Sequence, residues 1–220
     1  MRSATTCPAH CCVPATGSRA DVTAVDIVRP LSSKGRQTRQ SIEDAGRKLF
    51  AQRGFHGTTL ADITAAADRS PASFYRYFTD KEDLLAGLAE SFLREVVELP
   101  KIPDDHDFFV SAVGLYWDMF KPNIGIMVAV DQLAATESRF ALLQKRFRKF
   151  GTDIVGASVR RAKQQGYAAD LDADHIALAI ALLFERFTSV SVSEGLSDEA
   201  AITTLSTIWK KTLYGRPKEN

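Results

Sequence analysis

Residues 54–85 have the sequence GFHGTTLADITAAADRSPASFYRYFTDKEDLL. This stretch decides the fold, because it holds the end of one helix and the starts of the next ones. Gly54 predicts a left-handed stop to the apolar helical pattern before it, after which Phe55 can fold back on Phe50. The preceding pattern therefore predicts a first helix over residues 35–53.

Capping residues predict two short helices after that stop. Thr59 and Asp62 have the spacing of a capping box, so a second helix is expected to run to about Ala67. After a turn, Ser70 can cap a third helix, and Pro71 stands at its first position, where a missing N–H costs nothing. Two short helices joined by such a turn form the minimum of a helix-turn-helix, whose second helix enters the major groove of DNA.

The third predicted helix, residues 71–78, differs between its two faces. At about 100° per residue, Phe74 and Phe78 share one side and can pack on the core. The opposite side offers small residues for close approach, a cation for base edges and, on its flanks, phenols for phosphates. These outward positions are Ala72, Ser73 and Arg76, flanked by Tyr75 and Tyr77. An amphipathic surface helix whose tyrosines half-cover the core would show the same pattern.

The rest of the chain continues with helical periodicity. Asp80 and Lys81 begin a fourth predicted helix that runs toward Pro100. Further helices are predicted at about 105–120, 123–135, 137–165, 173–193 and 198–213. No run alternates as a strand does, so the predicted fold class is all-α with about nine helices.

Composition and charge fit a globular protein with one basic region. The chain has 220 residues, of which 45% are hydrophobic and 25% are charged. The net charge of +1 hides an uneven distribution, since residues 29–81 carry ten basic and five acidic side chains. Such a region is typical of a polyanion-binding domain, and a solvated basic face would give the same count.

Residues 1–32 lack any period and are expected to form a disordered arm. All three cysteines (Cys7, Cys11 and Cys12) lie there, so none staples the body of the protein, and a reducing cytoplasm is the expected compartment. Together with His10 they match a structural zinc site poorly, so no metal is predicted. No signal peptide or membrane helix is expected either.

Three parts of residues 54–85 resemble the signature of TetR-family transcriptional regulators. They are the stretch from Gly54 to Ile63, the pair Ala66-Ala67, and the run from Ser73 to Phe78 followed by Lys81-Glu82-Asp83-Leu84-Leu85. The resemblance covers about residues 36–92, and the order of glycine stop, threonine cap, aromatic helix and lysine-acid-leucine start makes it specific.

The resemblance implies an N-terminal three-helix DNA-binding domain and a helical ligand-binding and dimerisation domain. We accordingly expect a disordered arm over residues 1–32, the helix-turn-helix domain over 33–80 and the second domain over 81–220. It also implies that Thr59 and Lys81, like the two tyrosines of the third helix, contact phosphates. Ser73 and its neighbours would then approach the bases.

The turn and the start of the third helix depart from the family's pattern. Asp68 and Arg69 stand where a glycine and a small aliphatic residue are usual, although Asp68 can adopt a left-handed turn conformation. Arg69 could reach a phosphate or simply be solvated. Pro71 and Ala72 replace a polar residue and a glycine, which leaves fewer side chains for base contacts.

Two arginines, Arg36 and Arg39, stand at the start of the first helix, which the resemblance implies lies beside DNA. A solvated helix start accounts for them equally well. The full candidate DNA-binding set is Arg36, Arg39, Thr59, Arg69, Ser70, Pro71, Ala72, Ser73, Tyr75, Arg76, Tyr77 and Lys81.

The C-terminal half carries more aromatic and methionine side chains than a plain helical bundle requires. Core packing accounts for most of them, but pockets between bundle helices are also common ligand sites. The candidate ligand-binding set is Trp117, Phe120, Met127, Phe147, Phe184 and Phe187. The helix at 173–193 is apolar around much of its circumference, so with the last helix it is expected to form a homodimer contact.

The predicted function is a ligand-responsive DNA-binding regulator. We expect a repressor that is released from a palindromic operator by a small apolar or aromatic effector. No cofactor, catalytic residue or membrane partner is predicted. The alternatives are a helical small-molecule-binding or interaction module without DNA binding, and an enzyme. The chain shows no glycine-rich phosphate loop, no zinc-binding histidine pair and no nucleophile motif. A cluster at Asp170, Asp172, Asp174 and His175 could bind a metal, but a capped helix start explains it better.

Overall fold

The computed structural model describes residues 32–98 and 107–215. Over these residues the chain forms nine α-helices, one short 3₁₀ helix at Lys121–Asn123 and no strand, so the all-α prediction is confirmed. The α-helices are α1 (Ser33–Arg53), α2 (Leu60–Ala66), α3 (Pro71–Tyr75), α4 (Lys81–Val97), α5 (Phe108–Phe120), α6 (Ile124–Ala134), α7 (Ser138–Gln164), α8 (Ala173–Glu194) and α9 (Asp198–Tyr214). The expected disordered arm and its cysteines lie outside the described residues, apart from Ser32.

Capping residues fix the helix-turn-helix locally. The Thr59 hydroxyl accepts the Asp62 N–H at 3.1 Å, and the Asp62 carboxylate accepts the Thr59 N–H at 2.9 Å, which completes the predicted capping box. The Ser70 hydroxyl accepts the Ser73 N–H at 3.2 Å. Between these helices, Asp68 has a φ of 52°, as its replacement of glycine requires.

Several helix bounds differ from the sequence prediction, and those of the first and third helices have a clear local cause. The first helix begins at Ser33 rather than at residue 35, because the Ser32 hydroxyl accepts the Gly35 N–H at 3.1 Å and caps it earlier. The third ends at Tyr75 rather than at residue 78. A tighter turn follows, in which the Tyr77 N–H donates to the Phe74 carbonyl at 2.9 Å.

Hydrophobic side chains form two clusters among the described residues. The first runs without interruption from α1–α3 through α4 to α6 and α7; its largest members include Phe50, Phe74, Phe92, Phe120, Phe140 and Phe147. The second joins α5, α7, α8 and α9 around Trp209. The helix-turn-helix therefore shares one core with helices of the C-terminal half.

Helix α8 is unusually apolar. Its most apolar window has a mean hydropathy of 1.6 and only 33% of that window is buried, so by length and composition it could cross a membrane. This corrects the expectation that no segment approaches a membrane span. The core helices of folded domains can have the same composition, and α8 packs along α7. Its exposed part still leaves leucines uncovered, at Leu178 and Leu182.

Candidate DNA-binding face and effector cavity

Helix α3 is anchored by its phenylalanines and presents its other side to solvent. Phe74 and Phe78 are buried, with ring centroids 5.5 Å apart. Pro71, Ala72 and Arg76 are exposed, so the inward and outward sides follow the sequence prediction.

The serines and tyrosines at α3 differ in how far they contact other parts of the protein. The hydroxyls of Ser70 and Ser73 lie 3.1 Å apart, so the Ser73 hydroxyl is held beside the cap. Tyr75 is 60% exposed, with its ring edge against Phe74 at 5.7 Å. Tyr77 is half-buried against the first cluster. Of the two tyrosines, Tyr75 is therefore the more accessible to a ligand outside the protein.

Lys81 is occupied by the loop that precedes α2. Its ammonium donates to the carbonyls of Phe55 and Thr58, both at 2.8 Å, and lies 4.1 Å from the centre of the Phe55 ring. Two of its three donors are thus used inside the protein. The side chain ties the start of α4 to the loop that carries the exposed Thr59.

The other basic candidates lie around the same domain. Arg36 is exposed near the start of α1. Arg39 pairs with Glu43 at 2.8 Å and lies 5.4 Å from the centre of the Phe78 ring. Arg69 is half-buried in the turn and donates to the carbonyl of Asp68 at 2.7 Å. These contacts orient Arg39 and Arg69 in the absence of any partner.

The C-terminal half contains an internal cavity of about 70 Å³ between α5, α6, α7, α8 and α9. Of the predicted ligand-binding residues, Phe120, Met127, Phe147 and Phe184 line it. Trp117 and Phe187 do not, which corrects their placement. Trp117 follows Tyr116 on α5, and one residue rotates a helical side chain by about 100°, so Trp117 is buried on another side. Phe187 packs against the second cluster instead.

Sequence reasoning missed the other ten lining residues, among which Tyr116, Phe150, Glu185 and Trp209 have aromatic or charged side chains. Several rings in the cavity wall are in contact, since Tyr116 stacks on Phe120 at 4.3 Å. The Phe184 ring lies 5.3 Å from the Tyr116 ring and 5.7 Å from the Trp209 ring.

The polar atoms of two of these aromatic residues are satisfied within the wall. The Tyr116 hydroxyl lies 3.1 Å from the Thr188 hydroxyl, and burial raises the pKa of Tyr116 far above its ordinary value. The Trp209 indole N–H donates to the Ser158 hydroxyl at 3.1 Å. Glu185 is half-buried, and desolvation raises its pKa although Arg148 opposes the shift. The cavity is therefore apolar, with one acidic residue, Glu185, among the residues that line it.

The acidic cluster before α8 has a structural role. The Asp172 carboxylate accepts the N–H groups of Asp174 and His175 at 3.1 and 2.9 Å. The capped helix start that the sequence favours is thus observed. Over residues 32–98 and 107–215, no group of three or more potential metal ligands comes together.

The pattern defined for "Bacterial regulatory proteins, tetR family" matches residues 42–88, which extend from α1 into α4. The match thus covers the helix-turn-helix whose geometry is described above. Residues 42–88 thus have the sequence of a TetR-family DNA-binding domain.

Known TetR-family regulators extend the match beyond that domain. AcrR of Shigella flexneri is 33% identical over 73 residues, which are 33% of this chain and 34% of AcrR, so the chain spans only about a third of that relative. EthR of Mycobacterium tuberculosis is 25% identical over 178 residues, which are 76% of this chain and 82% of EthR. A regulator of Saccharomonospora viridis, crystallised with choline, has a TM-score of 0.67 at 20% identity and covers 81% of this chain and 98% of its own. At that identity the likeness concerns the fold alone.

In helix-turn-helix domains the second helix of the motif lies in the major groove of DNA, and α3 holds that position here. The exposed side of α3 and the loop at Thr59 therefore form the candidate DNA-binding face. The cavity is the candidate effector site.

Proposed function

We propose that this protein is a dimeric, ligand-responsive transcriptional repressor. It binds a palindromic operator with α3 in the major groove of each half-site, and a small apolar or aromatic effector in the cavity releases it. Residues 33–80 then form the DNA-binding domain, and residues 81–220 sense the effector and dimerise. Since its target is bacterial DNA, the protein acts in the cytoplasm.

The division of labour on the DNA-binding face follows from exposure and existing contacts. Arg76 is exposed and its guanidinium can pair with a guanine edge in a bidentate way, so it is the main candidate for base recognition. Tyr75 and Thr59 are exposed at the flanks and are suited to phosphate contacts. Lys81 contributes chiefly by holding the loop, with its remaining donor directed to a phosphate.

The observation that carries the proposal is the contact between the cavity wall and α4. The Phe92 ring of α4 lies 5.0 Å from the Phe120 ring and 5.5 Å from the Phe147 ring, and both of those line the cavity. At its other end α4 begins with Lys81, which is bonded to the loop before α2. A displacement of the cavity wall therefore has a packed route to the DNA-binding face.

The size of the cavity makes such a displacement necessary. A volume of about 70 Å³ is roughly half of the about 150 Å³ engineered cavity that binds benzene in another protein. An effector with a ring and substituents must push the walls apart, because packed interiors do not deform without repacking. A ligand that favours the displaced arrangement lowers operator affinity through a linked equilibrium.

Dimer formation is supported by the uncovered side of α8. Leu178 and Leu182, one turn apart, are 41% and 42% exposed, and Ile208 on α9 is 38% exposed. Pairing of α8 and α9 with the same helices of a second copy would bury these side chains in a four-helix contact. The two-fold symmetry of this contact would set the distance between the two α3 helices, so that each of them meets one half-site of a palindromic operator.

The test is selection of bound sequences from random double-stranded DNA with the full chain. A repressor of this kind enriches a palindrome with two equal half-sites. Footprinting on the enriched sequence then defines the operator. Failure to enrich any sequence would favour the alternative of a helical interaction module. The relatives named above are transcriptional regulators, which favours regulation over an enzymatic function.

A further inference from the structure

The chemistry of the cavity wall is more specific than apolar lining. Six of the fourteen residues that line it are aromatic, and the rings of Tyr116, Phe184 and Trp209 form a connected series. Aromatic faces carry negative electrostatic potential, so a wall of this kind attracts a cation as well as an apolar group.

Apart from Tyr116, Glu185 is the one residue with an acidic or basic side chain among the described residues that line the cavity. The polar atoms of Tyr116 and Trp209 are already bonded to Thr188 and Ser158 in the wall. The carboxylate of Glu185 is therefore the polar group best placed to meet a ligand. The acidic side chain of Glu185 and the aromatic faces therefore both favour the binding of a positively charged ligand.

Three charged side chains face Glu185 from the other side. Arg148 of α7, Asp131 of α6 and Arg186 of α8 line an outer cleft in which Glu185 also takes part, and none of the three lines the cavity. A nitrogen of Arg148 lies 3.7 Å from the Glu185 carboxylate, longer than the 2.7–2.9 Å of a good charge-assisted hydrogen bond. Glu185 thus separates the cavity from this cleft and is only loosely paired by Arg148.

We propose that the effector of this cavity is an amphipathic organic cation, an alkylated ammonium on an apolar body, whose charge lies beside Glu185 and the aromatic faces. This rests on the proposed function of the cavity as the effector site. A neutral ligand would remove water from the Glu185 carboxylate without compensation. An anion would be repelled by the carboxylate and by the ring faces, whereas a cation satisfies both.

The experiment compares two compounds of the same shape, phenyltrimethylammonium and tert-butylbenzene, which differ by the positive charge. Binding to the full chain is measured by calorimetry. The cation is expected to bind about tenfold more tightly than its neutral counterpart. In Glu185→Gln this preference is expected to fall to the smaller part that the aromatic faces supply, while tert-butylbenzene still binds, which also shows that the variant is folded. The matched control Glu194→Gln, an exposed acid on the same helix, should keep the preference.

Each outcome decides a separate point. If tert-butylbenzene binds wild-type protein as tightly as the cation, the proposal is overturned and the cavity remains a site for neutral effectors. If neither compound binds, the cavity fails as an effector site and the proposal falls with it. A preference for the cation that is undiminished in Glu185→Gln overturns the role of Glu185. Should that variant not fold because Arg148 loses its partner, the double variant Arg148→Gln/Glu185→Gln makes the same test.

Discussion

Arg76 follows directly on α3, exposed at the point where the recognition helix ends. Its neighbours Pro71 and Ala72 have no side-chain donors, and the Ser73 hydroxyl is held beside that of Ser70. We therefore expect base discrimination by this helix to depend mainly on the guanidinium of Arg76. Residue-level chemistry, rather than the fold, decides which operator the protein prefers.

Arg76→Ala should flatten the preference at one base pair in each half-site. Losing a bidentate arginine–guanine contact costs about 1–3 kcal/mol of discrimination. Affinities for a panel of single-base operator changes measure this directly. Arg76→Lys keeps the charge but not the bidentate geometry, so it should keep more affinity and still lose the preference. A uniform loss of affinity in Arg76→Ala, with every base preference intact, would make Arg76 a phosphate anchor.

Lys81→Met should destabilise the folded protein as well as weaken operator binding. The ammonium donates to the Phe55 and Thr58 carbonyls, and hydrogen bonds to charged groups contribute about 1.5–3 kcal/mol each. We expect a lower free energy of unfolding in urea and a loss of affinity that is equal for all operator sequences.

The control for Lys81 is Lys48→Met, which removes an exposed lysine from α1. It should leave the free energy of unfolding nearly unchanged, as surface substitutions usually do. If Lys81→Met weakens DNA binding and shallows its salt dependence without loss of stability, Lys81 acts as a phosphate contact alone.

At the scale of helices, the predictable parts are those encoded within a few residues. Caps such as Ser70 and Asp172 are local, so their spacing to the next N–H groups was sufficient to place helix starts. The early end of α3 was not predictable from periodicity, because Phe78 still points inward after the helix tightens into a turn.

The cavity wall was only partly predictable, because its members come from five helices. Sequence patterns identify aromatic residues but not which side of α5 meets α8 and α9, so they do not distinguish Tyr116, which lines the cavity, from its neighbour Trp117, which does not. Glu185 resembles an ordinary surface acid in the sequence. Only the packing of α7 against α8 brings it into the wall of an apolar cavity.

The contact between α1 and α6 depends on Gly125. A Cβ atom at this position would lie 2.5 Å from the backbone nitrogen of Ala51 and 2.6 Å from its Cα. Since backbone cannot yield as a side chain can, Gly125→Ala must push α6 away from α1. Overpacking of this kind costs about 1–3 kcal/mol. Thermal unfolding should show a clearly lower midpoint, and operator affinity should fall with it.

Gly114→Ala is the matched control on α5. A Cβ atom there meets nothing within 4 Å, so the change should stabilise the helix by about 0.5–1 kcal/mol. If Gly125→Ala raised the free energy of unfolding as much as Gly114→Ala, the separation of α6 from α1 would cost no stability. Close packing of α6 on α1 would then be unimportant for the fold.

For the whole molecule, the continuous first cluster joins the two functional surfaces. Phe74 beneath the recognition helix and Phe147 in the cavity wall belong to the same cluster, with Phe92 of α4 between them in the sequence. A chain with separate cores would need a distinct interface to transmit ligand binding. Here the same packed side chains that stabilise the fold also connect the cavity with the DNA-binding face.

The oligomeric state provides the last prediction. Leu178 and Leu182 lie one turn apart on α8 and are both exposed in the single chain, as is Ile208 on α9. If a second copy covers these side chains, Leu182→Glu places a charge in an apolar contact on both sides of the two-fold axis, and an unpaired buried charge is strongly unfavourable. Sedimentation velocity at micromolar concentration should then show a dimer for the wild type and a monomer for the variant. Operator affinity should fall sharply, because each half-site is bound alone.

Leu142→Glu, at a 59% exposed leucine on α7, is the control and should remain dimeric. A Leu182→Glu protein that stays dimeric and binds its operator normally would place the dimer contact elsewhere on the molecule.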